Sequence, residues 1–317
     1  MKLSIVATMY RSFEYVDPFC ERIATAAREI TDDFEIILVN DGSPDDALQR
    51  AVARAGNDPR LIVVDLSRNF GHHKAMMTGL DYAQGDLVYL TDIDLEEPPE
   101  WVIPFHTQLK EQQCDVVYGQ QAARRGGWFE RWSGQWFYSL VNALTDLDLP
   151  HNLVTSRLMT RRYVRALLRF KEREFFIAGL WQLAGFDQRP QVINKLAGSE
   201  TTYTLRRKLN ILVQMVTSFS AAPLRLTFYF GAFIFVCAAF YTTYLVINQL
   251  FLANPMPGWT SVMASVWLLG GTIIALIGMI GIYLAKVFTE TKHRPYTIVR
   301  QVYGTDNQRL TVLDAEV

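Results

Sequence analysis

Residues 87–100, LVYLTDIDLEEPPE, decide how the rest of the chain is interpreted. The first four residues are apolar and predict a buried parallel strand. Asp92, Asp94 and Glu96 follow, and alternate side chains of an extended chain share a face, so we expect these carboxylates to point together. Such oxygen ligands suit Mg²⁺ or Mn²⁺ when a substrate phosphate completes the coordination. Taken alone, the stretch is equally well explained as a solvated acidic turn before a helix that starts at the two prolines.

Strands and helices alternate around this stretch. Apolar runs predict strands at residues 3–7, 34–39 and 61–66, with helical patterns between them. This order predicts a parallel, right-handed α/β sheet, in which ligands bind beyond the carboxyl ends of the strands. Asp41 and Arg68 fall on that edge together with the acidic pair. Because no G-x-G-x-x-G follows the first strand, a dinucleotide enzyme is a poor fit.

Composition narrows the classes of function. The chain has 317 residues, a net charge of -1 and 20% charged residues, which gives no support for nucleic-acid binding. Its three cysteines are far apart and odd in number, which fits a reducing compartment. The adjacent histidines, His72 and His73, have no third ligand at a suitable spacing, so a structural or phosphate-facing role is favoured over a metal site.

The charge-free stretch 226–285 predicts a transmembrane hairpin. It contains two apolar lengths, at about 226–250 and 261–287, and each exceeds the roughly 20 residues needed to cross a bilayer. Two buried helices of a soluble domain are the alternative, but such helices rarely lack charge over this length. Basic residues flank both spans and are absent from the loop between them, so both ends are expected in the cytoplasm. Residues 205–225 predict an amphipathic helix at the membrane surface.

Several motifs, in order along the chain, resemble the family 2 glycosyltransferases. They are SIVATMY near the start, VNDGSPDD at 39–46, LSRNFGHHKAMMTGLDYAQGD at 66–86 and YLTDIDLEEPPE at 89–100. Within that family the chain most resembles the polyprenyl-phosphate glycosyltransferases, the dolichyl-phosphate mannosyltransferase group and its bacterial relatives. The later SRLMTRR and SFSAAPLRL are similar too, and the resemblance extends to about residue 300.

The resemblance implies a fold and an activity. The fold would be GT-A, a Rossmann-like mixed and mainly parallel α/β sheet with flanking helices, followed by amphipathic juxtamembrane helices and two transmembrane helices. The activity would be inverting transfer of a sugar from a nucleotide-sugar donor to a membrane polyprenyl phosphate of the undecaprenyl type. Mg²⁺ or Mn²⁺ would assist it, and the product would serve cell-envelope glycans such as lipopolysaccharide.

The same resemblance implies a location and a division of the chain. The protein would be a multi-pass protein of the bacterial inner membrane, with its catalytic domain and both termini in the cytoplasm, and a homo-oligomer is compatible with this. The catalytic domain would span residues 1–204, the juxtamembrane helix 205–225, the hairpin 226–288 and a cytoplasmic tail 289–317.

Residue roles are carried over position by position from the family. Asp92 and Asp94 would form the metal-and-diphosphate motif, with Glu96 as a further ligand. Tyr10, Asp41 and Arg68 would contact the donor. Arg124, Arg125 and Arg131 would bind the acceptor phosphate or the donor diphosphate, and Arg157 would be the catalytic arginine of the phenylalanine-arginine-leucine motif.

These roles agree with the chemistry of the reaction. A divalent ion neutralises charge on the departing diphosphate. The acceptor phosphate is already anionic at neutral pH, so it attacks without a strong general base, and direct attack inverts the anomeric centre. The site mainly has to hold two anions close together, which a metal and arginines can do.

The sequence departs from the family pattern at two positions. Thr155 stands where the family usually has an aspartate, and Gln121 replaces the first of two usual arginines. We interpret both as marks of a subgroup with a different donor sugar. Transfer to another membrane acceptor, such as a lipid-linked sugar or a growing polysaccharide, is one alternative function. A non-catalytic scaffold that retains nucleotide binding is another.

Overall fold

A computed structural model describes residues 1–121, 153–173, 176–193, 220–251 and 258–304. The chain divides into two compact units. The first comprises Met1–Tyr138, Asp148–Thr202 and Arg294–Val317, and the second comprises Ser139–Leu147 and Tyr203–His293.

The first unit is built around one sheet, which has eight strands within the described residues. The strands are β1 (Leu3–Met9), β2 (Phe34–Asn40), β3 (Leu61–Leu66), β4 (Leu87–Asp92), β5 (Val116–Gln121), β6 (Leu153–Thr160), β7 (Gln188–Ile193) and β8 (Val299–Tyr303). Their order across the sheet is β7-β5-β6-β4-β1-β2-β3-β8. Strands β4, β1, β2 and β3 are parallel, as are β5 and β7, whereas β6 and β8 run antiparallel to their neighbours.

Helices flank this sheet. They are α1 (Val16–Arg28), α2 (Ala47–Ala55), α3 (His72–Tyr82), α4 (Val102–Gln112), α5 (Arg161–Leu167) and α6 (Ile177–Leu183), with a 3-10 turn at Pro99–Trp101 before α4. Every residue of β1, β2 and β3 is buried, because helices cover both faces of these strands, and this explains why their sequences are mainly apolar. The expected mixed, mainly parallel α/β sheet is confirmed, and the four predicted strands end within two residues of their predicted bounds.

Helix α3 packs closely on the centre of the sheet at Gly79. A Cβ atom at this position would collide with Val6 and would lie 2.9 Å from Val39 Cγ2. The absence of a side chain therefore lets the helix approach β1 and β2, and this approach sets the position of the first turn of α3 at the carboxyl edge of the sheet.

The edge next to β3 is covered by a strand from the end of the chain. Strand β8 pairs antiparallel with β3, and Val63 lies opposite Tyr303. Its sequence, VRQVY, has only five residues and mostly intermediate or high exposure, so it carries little of the apolar signal that identifies a buried strand. The sequence interpretation did not predict this strand.

The second unit contains two long helices within the described residues, α7 (Ala222–Phe251) and α8 (Trp259–Thr291). One stretch of the described chain, Leu269–Thr291, is long and apolar enough to cross a membrane, with a mean hydropathy of 2.0, and Ala222–Ile234 forms a shorter apolar stretch. The prediction of two transmembrane helices is therefore not confirmed. Most of the predicted juxtamembrane helix, residues 205–219, lies outside the described residues.

Candidate active site

Asp41 joins the loops that follow β2 and β3. Its Oδ1 atom accepts a hydrogen bond from the Phe70 N–H (2.7 Å), and its Oδ2 atom accepts one from the Gly71 N–H (3.0 Å). Burial raises the pKa of the Asp41 carboxyl, while the two backbone bonds act against that rise. Gly42 follows with φ of +61°, and a Cβ there would lie 2.5 Å from Asn69 N, so the two loops touch through backbone. Both carboxylate oxygens therefore hold the loop on which Arg68 lies.

The other two predicted donor residues lie on the same edge of the sheet. Tyr10 follows β1 and is 47% exposed, with the Arg11 guanidinium 5.5 Å from its ring centre. Arg68 follows β3, and its guanidinium lies 4.1 Å from the Phe70 ring centre. The sheet thus places Tyr10, Asp41 and Arg68 on three adjacent loops, as the strand order β1-β2-β3 requires.

The acidic stretch leaves the strand at Asp92. Leu95 adopts a left-handed conformation (φ +60°), and Asp94 Oδ1 accepts a hydrogen bond from the Glu96 N–H at 3.0 Å. The expectation that Asp92, Asp94 and Glu96 point together along an extended chain is therefore wrong, because the chain turns immediately after Asp92. Within the described part of the chain, no three His, Cys, Asp or Glu side chains converge as metal ligands.

His72, the first residue of α3, lies among the carboxylates of this edge. Its Nε2 atom is 3.1 Å from Asp92 Oδ1, and its Nδ1 atom is 3.0 Å from Thr8 Oγ1. Burial disfavours the charged ring, but the hydrogen bond and charge of Asp92, aided by the charges of Asp41 and Asp94, raise the pKa of His72. The sequence interpretation allowed a phosphate-facing role for His72 but missed its pairing with Asp92.

The carboxylates of this turn suit a metal ion only if substrate phosphates supply some of its ligands. Asp92 Oδ1 lies 3.1 Å from His72 Nε2, and the charge of Asp94 also raises the pKa of His72. Mg²⁺ commonly uses one or two carboxylates and takes its other ligands from water and substrate phosphates. The predicted set of three protein carboxylates does not form, whereas two carboxylates with added phosphates suit the residues that are present.

A cavity of about 280 Å³ adjoins His72 and Asp92. Polar groups line one part of it: His72, His73, Asp92, Glu97, Gln121 and Thr155. Apolar and aromatic side chains line the rest: Met76, Leu153, Val154, Phe176, Ile177, Ala178 and Trp181. Burial, reinforced by the charge of His72, lowers the pKa of His73 to about 4, so this second ring is neutral at physiological pH. A concave site with an apolar wall and a few polar groups is typical of a small-molecule pocket.

Glu97 supplies a carboxylate beside Thr155. Its Oε2 atom accepts a hydrogen bond from the Ser156 N–H (2.8 Å), and its Oε1 atom accepts one from the Thr155 N–H (3.3 Å). The side chain is almost fully buried, at 2% exposure, and it lines the cavity. Position 155 lacks the expected aspartate, yet a carboxylate from the acidic stretch lies against its backbone. The signal for this role was the second of the two adjacent glutamates, which sequence reasoning left without a function.

Arg157 lies deep in the sheet behind the cavity wall. It is 1% exposed and is paired with Leu90 across β4 and with Tyr118 across β5. Its guanidinium carbon lies 2.9 Å from the centre of the Trp181 ring, and Trp181 lines the cavity. Among the described residues, its Nε and Nη1 atoms have no hydrogen-bond partner. Burial lowers the pKa of Arg157 to about 9, against the opposing influence of Tyr163, Tyr118 and Glu97.

Three predicted phosphate-binding residues cannot be placed in this geometry. Arg124, Arg125 and Arg131 lie outside the described residues, so their roles stay predictions.

The chain is similar to known proteins over most of its length. The family described as "Glycosyl transferase family 2" matches residues 4–168, more than half of the chain. A protein of Mycobacterium tuberculosis whose name assigns it to the glycosyltransferases is 52% identical over 306 residues, which cover 96% of this chain and 90% of the relative. The bactoprenol glucosyl transferase of Shigella phage SfV is 30% identical over 303 residues, which cover 95% of this chain and 98% of the relative.

Among solved structures, the mannosyltransferase PcManGT of Pyrobaculum calidifontis, in complex with GDP-Man and Mn²⁺, is 15% identical, with a TM-score of 0.49. The similarity covers 91% of this chain and 86% of that one, and it is too low to bear on the site. The family match covers strands β1 to β4 and the loops that follow them, and the two relatives are similar over nearly the whole chain. The chain belongs to glycosyl transferase family 2, and it is a glycosyltransferase.

Proposed function

We propose that this glycosyltransferase moves a sugar from a nucleotide-sugar donor to the phosphate of a membrane polyprenyl lipid. The observation that carries the proposal is the meeting of the Asp92–Asp94 turn, His72 and the apolar-walled cavity at the carboxyl edge of the sheet. The acceptor class is supported by the similarity, over 95% of this chain, to a bactoprenol glucosyl transferase.

The loops after β1, β2 and β3 would bind the nucleotide part of the donor. Tyr10 and Arg68 offer an exposed ring and an exposed guanidinium, and Asp41 fixes the loop between them. The diphosphate would then lie toward β4, where Asp92 and Asp94 would hold Mg²⁺ or Mn²⁺. When bound, such an ion offsets the negative charge that develops on the departing diphosphate.

The sugar would occupy the cavity between Glu97 and Trp181. Polar groups on one side can bind sugar hydroxyls, and the indole offers a flat apolar face. In the transfer, an oxygen of the acceptor phosphate forms a bond to the anomeric carbon while the bond from that carbon to the diphosphate breaks. The nucleoside diphosphate leaves with the electron pair, and the configuration inverts.

The positive charges of the site would hold the two anions together. His72 is stabilised in its charged form by Asp92, and Arg157 has two guanidinium nitrogens without partners in the described residues. Displacement of Trp181 would open a path from the cavity to Arg157. Arg124, Arg125 and Arg131 would add further charge at the acceptor phosphate.

The chain would work at the cytoplasmic face of the bacterial inner membrane. Support comes from the apolar stretch Leu269–Thr291 and from the absence of charge over residues 226–285 of the sequence. A second span over residues 226–250 is part of this proposal, together with the cytoplasmic placement of both termini that the flanking basic residues favour.

The test uses the full-length chain in membranes supplied with undecaprenyl phosphate and a panel of nucleotide sugars. Wild-type protein should transfer one sugar in a reaction that requires Mg²⁺ or Mn²⁺. Asp94→Asn should lower transfer by about 100-fold or more, a typical cost of losing a charged group that stabilises the transition state. Asp32→Asn, an exposed acid before β2, is the matched control and should keep full activity. Transfer only to a lipid-linked sugar, or no transfer at all, would overturn the proposed acceptor.

A further inference from the structure

We propose that Arg300, on the C-terminal strand β8, positions the donor-binding loops that follow β2 and β3, although it is distant from them in sequence. This inference rests on the proposed donor site, at the loops that follow β2 and β3. The segment that follows helix α8 would thereby contribute to donor affinity, although the sequence motifs of the site all lie before it.

The guanidinium of Arg300 joins two groups at the end of β3. Its Nη1 atom lies 3.3 Å from Asp65 Oδ2, and its Nη2 atom donates a 2.6 Å hydrogen bond to the Ser67 carbonyl oxygen. Asp65 is 1% exposed, so its carboxylate depends on partners from the protein. A single side chain of β8 thus binds both the last part of β3 and the first residue of the loop that carries Arg68.

Asp65 also connects β3 to the loop that follows β2. Its Oδ1 atom accepts a 2.8 Å hydrogen bond from the Asn40 side-chain amide, and Asn40 is 2% exposed. The Asn40 Oδ1 atom in turn accepts a hydrogen bond from the Ser43 N–H at 3.2 Å. The relay therefore runs from Arg300 through Asp65 and Asn40 to the turn that contains Asp41.

Backbone contacts from the same segment hold the second loop. The Ile298 carbonyl accepts a 2.9 Å hydrogen bond from the Ser67 N–H, so Ser67 is bound through both its N–H and its carbonyl. One residue earlier, Thr297 Oγ1 lies 2.8 Å from Thr78 Oγ1 on α3. Because Asp41 binds the N–H groups of Phe70 and Gly71, the two loops are joined to each other, and the hydrogen bonds of Arg300 and Asp65 connect them to β8.

Ordinary edge pairing would give a different result when Arg300 is changed. If β8 only covered the edge of the sheet, its backbone bonds would do so with any side chain at position 300, and substitution would lower stability without selecting one substrate. If Arg300 positions the loops, its loss should weaken donor binding and leave the chemistry and the acceptor untouched. Lysine should rescue only in part, because it can approach Asp65 but lacks the fork that also bonds Ser67.

The experiment compares Arg300→Ala, Arg300→Lys and Gln301→Ala in the full-length chain. Gln301 is the exposed neighbour on β8 and serves as the matched control. With the nucleotide sugar that the wild-type chain uses, Arg300→Ala should raise the donor KM about tenfold, a typical effect of losing bonds to a charged group. Its kcat and acceptor KM should stay within about twofold, Arg300→Lys should be intermediate, and Gln301→Ala should match the wild type.

Amide hydrogen exchange without any nucleotide provides the second readout. Residues 40–43 and 67–71 should exchange faster in Arg300→Ala than in Gln301→Ala. An unchanged donor KM, or unchanged exchange in both loops, would overturn the inference. If the wild-type chain transfers no sugar, the proposed function fails, and the exchange measurement still decides whether the relay holds the loops.

Discussion

His72 Nε2 lies 3.1 Å from Asp92 Oδ1, so the first residue of α3 is paired with the last residue of β4. Thr8 Oγ1 contacts the other ring nitrogen at 3.0 Å, which fixes the orientation of the imidazole. Three elements of the carboxyl edge thereby meet at a single side chain. Asp92 favours the charged form of this imidazole, which lies where the diphosphate of the donor would bind.

The pairing predicts how His72 responds to a change at position 92. In Asp92→Asn the pKa of His72 should fall, because burial remains while the bond and charge that oppose it are lost. The ring then loses its proton at a lower pH than in the wild type. NMR titration of the His72 ring protons measures this directly, and an unchanged midpoint would show that the two side chains are uncoupled in solution.

The same pairing has a consequence for stability. A histidine whose pKa is raised by folding stabilises the folded chain fully below its unfolded pKa, and the contribution is lost as pH rises through the folded pKa. The difference in unfolding free energy between the wild type and Asp92→Asn should therefore shrink from acidic to alkaline pH. Denaturant titrations across this range provide the measurement.

Substitution of Arg157 should lower transfer activity without lowering the free energy of unfolding. Its buried guanidinium has two unpartnered nitrogens among the described residues, so Arg157→Met should leave the unfolding free energy unchanged or raise it. If the guanidinium acts on substrate phosphates, kcat/KM should fall about 100-fold. Arg165→Met, an exposed change on the nearby helix α5, is the matched control. Full activity of Arg157→Met would assign the arginine to packing under Trp181 alone.

Two substitutions of Glu97 should differ in how much stability they cost. Glu97→Ala leaves the Thr155 and Ser156 N–H groups without their acceptor and should cost about 2 kcal/mol of stability. Glu97→Gln keeps one acceptor oxygen and should cost less than half as much. Both variants should lose transfer activity if the carboxylate binds the sugar. Thermal unfolding with parallel activity assays tests this, and equal stability of the two variants would contradict the bonding pattern.

A side chain at position 79 should lower the stability of the fold by disturbing the packing of α3 on the sheet. Gly79→Ala should destabilise the chain by about 1–3 kcal/mol, because the added methyl group collides with Val6 and approaches Val39. Gly56→Ala is the control, since its Cβ would have only ordinary contacts, the nearest at 3.5 Å, and should be neutral or slightly stabilising. Chemical denaturation of both variants measures the difference, and equal stabilities would show that α3 can move away from the sheet at little cost.

The central strands were predictable because their burial on both faces produces mainly apolar runs. Strand β8 was not, since an exposed edge strand of five residues carries little apolar signal and its partner is distant in sequence. The turn after Asp92 was one of two explanations that the sequence left open, because alternation along a strand says nothing about where the strand ends. The contacts of His72 with Asp92 and of Glu97 with Ser156 join separate elements, and only the folded sheet brings them together.

The central claim is transfer of a sugar to a polyprenyl phosphate, and mass spectrometry of the lipid product tests it most directly. Membranes that contain the full-length chain, undecaprenyl phosphate and a panel of nucleotide sugars should yield one new lipid, heavier than the acceptor by a single glycosyl unit. The Asp94→Asn protein should yield none above background. An unmodified polyprenyl phosphate across the whole panel, in the presence of Mg²⁺ or Mn²⁺ and folded protein, would contradict the account.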